Sequence, residues 1–123
     1  MMISRKPGLK WVHRTGVTGY DWNSSTLIQD SQWHTLSLAG IVPANAKMVL
    51  LRLGASHADA FKIFRVAKVG ATDSFNCATV ITQVGNIVNE QTTLLDCTGC
   101  QIAYWAIAGT FSSLWIVVMG WFV

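Results

Sequence analysis

The chain ends in the sequence Ser113-Leu-Trp-Ile-Val-Val-Met-Gly-Trp-Phe-Val123, which is apolar on both alternating faces of an extended strand. No Asp, Glu, Lys or Arg occurs between Cys97 and Val123. A strand that is apolar on both faces has to be covered on both faces. A chain of 123 residues builds one hydrophobic core, which covers one of them. The sequence therefore predicts that a partner covers the other face.

The composition indicates an ordered domain with little surface left for water. Hydrophobic residues make up 51% of the chain and charged residues 12%, whereas charged residues make up about 25% of typical soluble domains. This composition excludes a disordered chain, because disordered chains are polar and charged. Two classes remain, namely a subunit buried among neighbours and a membrane protein.

Short apolar runs separated by turn residues predict an all-β fold, a single-domain β-sandwich that is jelly-roll-like and has about eight strands. Residues that favour strands, such as Val, Ile, Thr and Trp, are plentiful. One run, 47–53, is also apolar on both faces. The expected strands are 10–13, 32–38, 47–53, 60–66, 77–84, 91–96, 101–107 and the terminal segment.

The two strands that are apolar on both faces predict an oligomer interface. In run 47–53, Met48 and Leu50 share one face. In the terminal segment, strict alternation places every second residue on the same face as Trp115. We expect these two faces to contact neighbouring subunits. The predicted interface residues are Met48, Leu50, Trp115, Val117, Met119 and Trp121.

Positive charge is concentrated at the N-terminus. No acidic residue precedes Asp21, and beyond residue 20 six acidic residues outnumber five basic ones. The sequence thus predicts a basic N-terminal arm, 1–19, and a β-sandwich domain, 20–123. Such an arm binds nucleic acid, acidic lipid or an acidic protein surface, or it remains solvated. Its basic residues are Arg5, Lys6, Lys10 and Arg14.

A membrane span is the main rival interpretation of the C-terminus. Residues 102–123 carry no charge and are long enough to cross a bilayer as a helix. However, Gly109-Thr-Phe-Ser-Ser113 would place polar residues in the middle of the membrane, and no Lys or Arg flanks either end. We expect two strands joined by a turn instead, and no membrane partner.

The sequence lacks the patterns that catalytic sites require. It contains no nucleophile elbow, no close carboxylate pair and no phosphate-binding glycine loop. Cys97-Thr-Gly-Cys100 has the spacing of a redox or metal pair, but zinc would need two more ligands, from Cys77 or the isolated histidines. We therefore expect no enzyme, no cofactor, no metal site, and reduced thiols in a turn.

The aromatic residues suggest a second function, carbohydrate binding. Indole rings stack on sugar rings, and neighbouring polar groups bind the hydroxyls. Tyr20, Trp22 and Trp33 lie close in sequence to polar residues such as Asp21 and Asp30. They form the predicted glycan platform, although aromatic residues also supply buried area in small sandwiches.

Four segments occur in a fixed order along the chain: Tyr20-Asp-Trp-Asn23, then Ser31-Gln-Trp-His-Thr-Leu-Ser-Leu-Ala-Gly-Ile-Val-Pro43, then Ala46-Lys-Met-Val-Leu-Leu-Arg52, and finally Trp115-Ile-Val-Val-Met-Gly-Trp-Phe122. In this order the chain resembles small β-rich structural proteins and terminal domains of tailed-bacteriophage virions. The resemblance covers residues 20–53 and 113–122.

The resemblance implies a structural role in the virion, as a homotrimer that decorates the capsid or forms a minor surface protein. The implied partners are further copies of the chain and other virion proteins such as the major capsid protein, and no nucleic acid is expected. The basic arm would dock on the capsid. The alternative is a carbohydrate-binding module for host attachment on a fibre or tail tip. The family supplies no catalytic residues.

Overall fold

The computed structural model describes residues 8–71, 73 and 75–123, and the chain within these ranges is all-β. The described residues form nine strands and no helix. The strands are β1 (Trp11–His13), β2 (Trp22–Asn23), β3 (Trp33–Ser37), β4 (Met48–Ser56), β5 (Ile63–Ala67), β6 (Ala78–Ile81), β7 (Asn89–Asp96), β8 (Gln101–Ala106) and β9 (Ser113–Phe122). Eight of them overlap the expected runs. The two-residue strand β2 was not predicted, because it is too short to show alternation.

Two antiparallel sheets make up the sandwich. In the five-stranded sheet the order is β1-β9-β4-β7, and β2 also pairs with β9; in the four-stranded sheet the order is β3-β8-β5-β6. From β2 onward every connection crosses between the sheets except that from β5 to β6. The all-β sandwich is confirmed. The finer jelly-roll assignment stays a prediction, with which this strand order is compatible.

The core lies between the sheets and is filled by alternate residues of the central strands. In β4, Val49, Leu51 and Leu53 are fully buried. Since successive side chains point to opposite faces, Met48 and Leu50 lie on the outer face, where both are partly exposed. Fully buried residues from the other strands include Phe64, Val66, Ile102, Leu114, Ile116 and Val118.

The C-terminal apolar segment belongs to the sandwich. Residues 102–123 form β8 and β9, which lie in different sheets. Among the described residues, no helix has the length and apolar character needed to cross a bilayer. The helical membrane span considered for these residues is therefore wrong, because their apolar side chains fill the space between the two sheets.

The sandwich begins earlier than the predicted boundary after residue 19. The N–H of Lys10 donates to the carbonyl of Val123 over 2.9 Å, and the N–H of Val123 donates back over 3.0 Å. Strand β1 then pairs with β9, with Trp11 opposite Phe122. The backbone groups at the end of β9 thus find partners in a strand that lies within the predicted arm, 1–19.

Candidate interaction surfaces

Apolar side chains from four strands lie close together on the outer face of the five-stranded sheet. Trp11, Phe122 and Met48 lie opposite one another on β1, β9 and β4. In the next row, Leu50 of β4 lies opposite Leu94 of β7. Leu94 is 45% exposed and Trp11 37% exposed. We call this surface the outer patch. It consists of Trp11, Met48, Leu50, Leu94, Val117 and Phe122.

The four predicted interface residues other than Trp115 and Trp121 therefore remain partly exposed on one side of the molecule. Met48 and Leu50 belong to the outer patch, as does Val117. Met119 is partly exposed beside Val117, where both line a groove of about 490 Å³ together with residues 13–17 and Arg52. That groove extends the outer patch toward the loop that follows β1.

Trp115 also lies on this outer face, but its own chain covers it. The ring of Tyr20 stacks on the indole at 4.5 Å between centroids, with 11° between the planes. The guanidinium of Arg52 lies 5.1 Å from the indole centroid and donates hydrogen bonds of 2.9 and 3.0 Å to Glu90. Trp115 is only 2% exposed. A contact with a neighbouring subunit would therefore meet Tyr20 and Arg52 rather than the indole.

Trp121 lies on the core face, contrary to the strict alternation expected for the terminal strand. Leu50 is paired with Gly120, whereas Leu51 is paired with Val118, so Met119 is an extra residue in β9. Such a β-bulge shifts the alternation by one residue. Trp121 consequently pairs with the buried Val49 and packs against the core. It also lines a mostly apolar groove of about 600 Å³ formed with residues 39–44 and Cys100.

The two basic residues of the predicted arm that the structure describes both contact β9, Arg14 through its side chain and Lys10 through its backbone. Arg14 donates to both carboxylate oxygens of Asp21, over 2.6 and 2.8 Å, and also to the carbonyl of Val118. The hydrogen bond that Arg14 donates to Asp21 raises the pKa of Arg14. Lys10 is joined to β9 through its backbone. Arg5 and Lys6 lie outside the described residues. Lys10 and Arg14 thus belong to the paired edge of β9, and their role in docking on a capsid stays a prediction.

The three residues of the predicted glycan platform do not share a surface. Tyr20 stacks on Trp115 outside the five-stranded sheet. Trp22 pairs with Ile116 and packs against the core. Trp33 lies on the outer face of the other sheet, opposite Trp105. Closeness in sequence failed as a guide because the chain crosses from one sheet to the other between β2 and β3.

The four-stranded sheet carries a row of side chains that sequence reasoning missed. Trp33, Trp105, Arg65 and Thr79 lie opposite one another on β3, β8, β5 and β6. All four are partly exposed. We call them the Trp33 row. Side-chain alternation in β5 and β8 would have placed Arg65 and Trp105 on outer faces. The row was missed because the sequence does not show that these two strands are adjacent.

Cys97 and Cys100 lie in the turn between β7 and β8. The N–H of Cys100 donates to the carbonyl of Cys97 over 2.8 Å, and the Cys100 thiol donates to the carbonyl of Val42 over 3.3 Å. Burial raises the pKa of the Cys97 thiol, with a further contribution from Cys100. A buried thiol with a raised pKa is a poor nucleophile, which argues against a redox pair.

The histidines make structural contacts. His57 accepts the N–H of Asp59 at Nδ1 over 2.9 Å, and its ring meets the edge of Phe111. His34 is hydrogen-bonded to Asp30 over 2.8 Å, which lowers the pKa of Asp30. Over the described ranges, no group of three or more His, Cys, Asp or Glu side chains is arranged to hold a metal ion.

No protein-family model matches the sequence, and no curated protein matches it significantly. Function therefore has to be argued from the two outer faces themselves.

Proposed function

We propose that this protein is a structural subunit that assembles with copies of itself through the outer patch. The observation that carries the proposal is the run of partly exposed apolar side chains across four adjacent strands, β1, β9, β4 and β7. Contiguous apolar surface of this kind marks interaction sites, whereas single exposed apolar residues are ordinary.

The energetics favour use of the whole patch. Full burial of a large apolar side chain stabilises by about 1.5–3 kcal/mol. The patch residues are already half-buried, so each gains roughly 1 kcal/mol on contact. Association costs about 4–15 kcal/mol in lost freedom of motion. One or two residues cannot offset that cost, while six side chains on each subunit approach it.

We propose that this assembly takes place on a virion. Residues 20–53 and 113–122 resemble β-rich virion proteins of tailed bacteriophages. They include most of β4 and all of β9, the strands that carry most of the outer patch. The proposed state is a homotrimer that decorates the capsid or forms a minor surface protein. Its proposed partners are its own copies and the major capsid protein.

A charge placed in the outer patch tests the proposal. Leu94→Asp puts a carboxylate into the patch, and burying it on assembly would be unfavourable. The matched control is Ile81→Asp, since Ile81 is 41% exposed but lies on the four-stranded sheet. Native mass spectrometry should find trimers for the wild-type chain and for Ile81→Asp, and monomers for Leu94→Asp.

Two results would count against the proposal. If the wild-type chain is monomeric at micromolar concentration, it does not assemble with itself through the outer patch. A trimer that survives Leu94→Asp but is lost in Ile81→Asp would move the interface to the other sheet.

A further inference from the structure

The Trp33 row faces away from the core and lies on the sheet that does not carry the outer patch. Directly opposed residues of antiparallel strands point to the same face. The residues on either side of Trp105 belong to the core, so Trp105 and the residues opposite it face outward. The row crosses all four strands of the sheet, a distance of about 14 Å.

Arg65 is the charged member of this row, and no carboxylate of the described residues neutralises it. Arg14 and Arg52 each donate to a carboxylate, from Asp21 and Glu90 respectively. The guanidinium of Arg65 lies 5.0 Å from the Trp105 ring centroid, and its Nε is buried without a hydrogen-bond partner. Over the described ranges no carboxylate lies within ion-pair distance of Arg65. The Trp105 ring thus contacts a guanidinium that has no carboxylate partner within these ranges.

The surroundings of the row are suited to a flat ligand. In the adjacent row, Thr35, Ala103 and Ala67 lie opposite one another. Thr35 is exposed, whereas Ala103 and Ala67 are buried, so the open surface of this row lies beside Trp33. Among the residues that the structure describes, no ring stacks on Trp33 in the way that Tyr20 covers Trp115, and Trp33 is partly exposed.

We propose that the Trp33 row binds an acidic oligosaccharide. The apolar face of one sugar ring stacks on Trp33, and the carboxylate of that sugar or its neighbour pairs with Arg65. Guanidinium forms charge-assisted, bidentate hydrogen bonds with carboxylates, and indole offers a broad apolar face. The site goes beyond assembly through the outer patch and does not depend on it.

A single cation favours an acidic sugar over a nucleic acid. Nucleic acids are bound by several Lys or Arg side chains that neutralise successive phosphates. The Trp33 row provides one guanidinium beside two indoles, which matches one carboxylate on a chain of sugar rings.

The experiment measures binding of named sugars to the full chain by NMR titration. The acidic probes are 3′-sialyllactose and tri-galacturonic acid, and the neutral probe is lactose. We expect an acidic probe to shift the indole N–H signals of Trp33 and Trp105 and to bind at least about tenfold more tightly than lactose. Trp33→Ala and Arg65→Gln should each weaken that binding about tenfold or more.

The controls separate loss of the site from loss of the fold. Trp11→Ala removes an exposed indole from the other sheet and should leave sugar binding unchanged. Arg65→Lys keeps the charge and should retain more binding than Arg65→Gln. If either Trp33→Ala or Arg65→Gln fails to fold, the Trp33 indole shift in the wild-type chain still decides the matter.

Three results would overturn the proposal. The first is an absence of binding to both acidic probes at millimolar concentrations. The second is equal binding of lactose and the acidic probes. The third is tighter binding of single-stranded oligonucleotide at the same indoles, which would assign the row to nucleic acid.

Discussion

At the scale of single residues, the position of the Trp115 indole depends on Gly54. The two residues are paired across β4 and β9, and a Cβ atom on Gly54 would overlap the indole ring. The indole therefore lies flat over Gly54, where Tyr20 and Arg52 cover it. A side chain that sequence reasoning assigned to an intersubunit contact thus stabilises its own sheet.

Gly54→Ala tests this arrangement. The added methyl should displace the indole and disrupt its stack with Tyr20, lowering the free energy of unfolding by about 1–3 kcal/mol. Urea denaturation followed by tryptophan fluorescence measures the change. Gly19→Ala is the control, because a Cβ there meets nothing within 4 Å. Equal stability of the two variants would show that the indole does not depend on the glycine.

At the scale of elements, β9 determines which residues face outward and which strands pair. It lies between β4 on one side and β1 and β2 on the other. Its bulge at Met119 moves Trp121 to the core face, while Phe122 stays on the outer face beside Trp11 at 5.2 Å between ring centroids. One extra residue thus redistributes the apolar residues of the terminal strand between core and surface.

Deletion of β1 tests the contribution of the N-terminal segment to this sheet. Removal of residues 1–14 exposes the edge of β9 and eliminates the contact of Trp11 with Phe122, as well as the ion pair of Arg14 with Asp21. We expect the melting temperature to fall by about 5–10 °C, on the basis of a loss of 1–2 kcal/mol. Removal of residues 1–7 leaves β1 intact and is the control.

The result of this deletion shows whether β1 stabilises the sandwich as one of its strands or belongs to a separate arm. If both truncated chains melt at the wild-type temperature, β1 contributes nothing to stability. Circular dichroism at a single wavelength is sufficient for the comparison, since all three chains are expected to have the same β-rich spectrum.

At the scale of the whole molecule, both sheets contribute to one core. Side chains of β4 and β9 from one sheet and of β5 and β8 from the other belong to a single buried cluster. A change at the centre of that cluster should therefore affect both sheets together, as expected for a small cooperative domain.

Phe64→Ala tests whether the sandwich unfolds as one unit. Phe64 is fully buried, so its truncation should lower the free energy of unfolding by about 3–5 kcal/mol. Phe75→Ala is the matched control, since Phe75 is 97% exposed and the change should stay within about 0.5 kcal/mol. Fluorescence and circular dichroism should report the same transition midpoint. Two separated midpoints would mean that the sheets unfold independently.

The sequence by itself determined the all-β class and the location of eight of the nine strands. Alternation also placed Val49, Leu51 and Leu53 on the core face and Met48 and Leu50 on the other. These features are local, because side-chain alternation and turn residues act over a few positions of the chain.

Only the tertiary structure decided which strands are neighbours and which surfaces result. Pairings between distant segments place Trp33, Trp105 and Arg65 in one row and bring Trp115 under its cover. One extra residue in β9 turns Trp121 toward the core. Sequence alternation fixes two faces for each strand but carries no information on the partner strand or on a register shift. The physical reason is that pairing is selected by the packing of the whole core, which no single segment encodes.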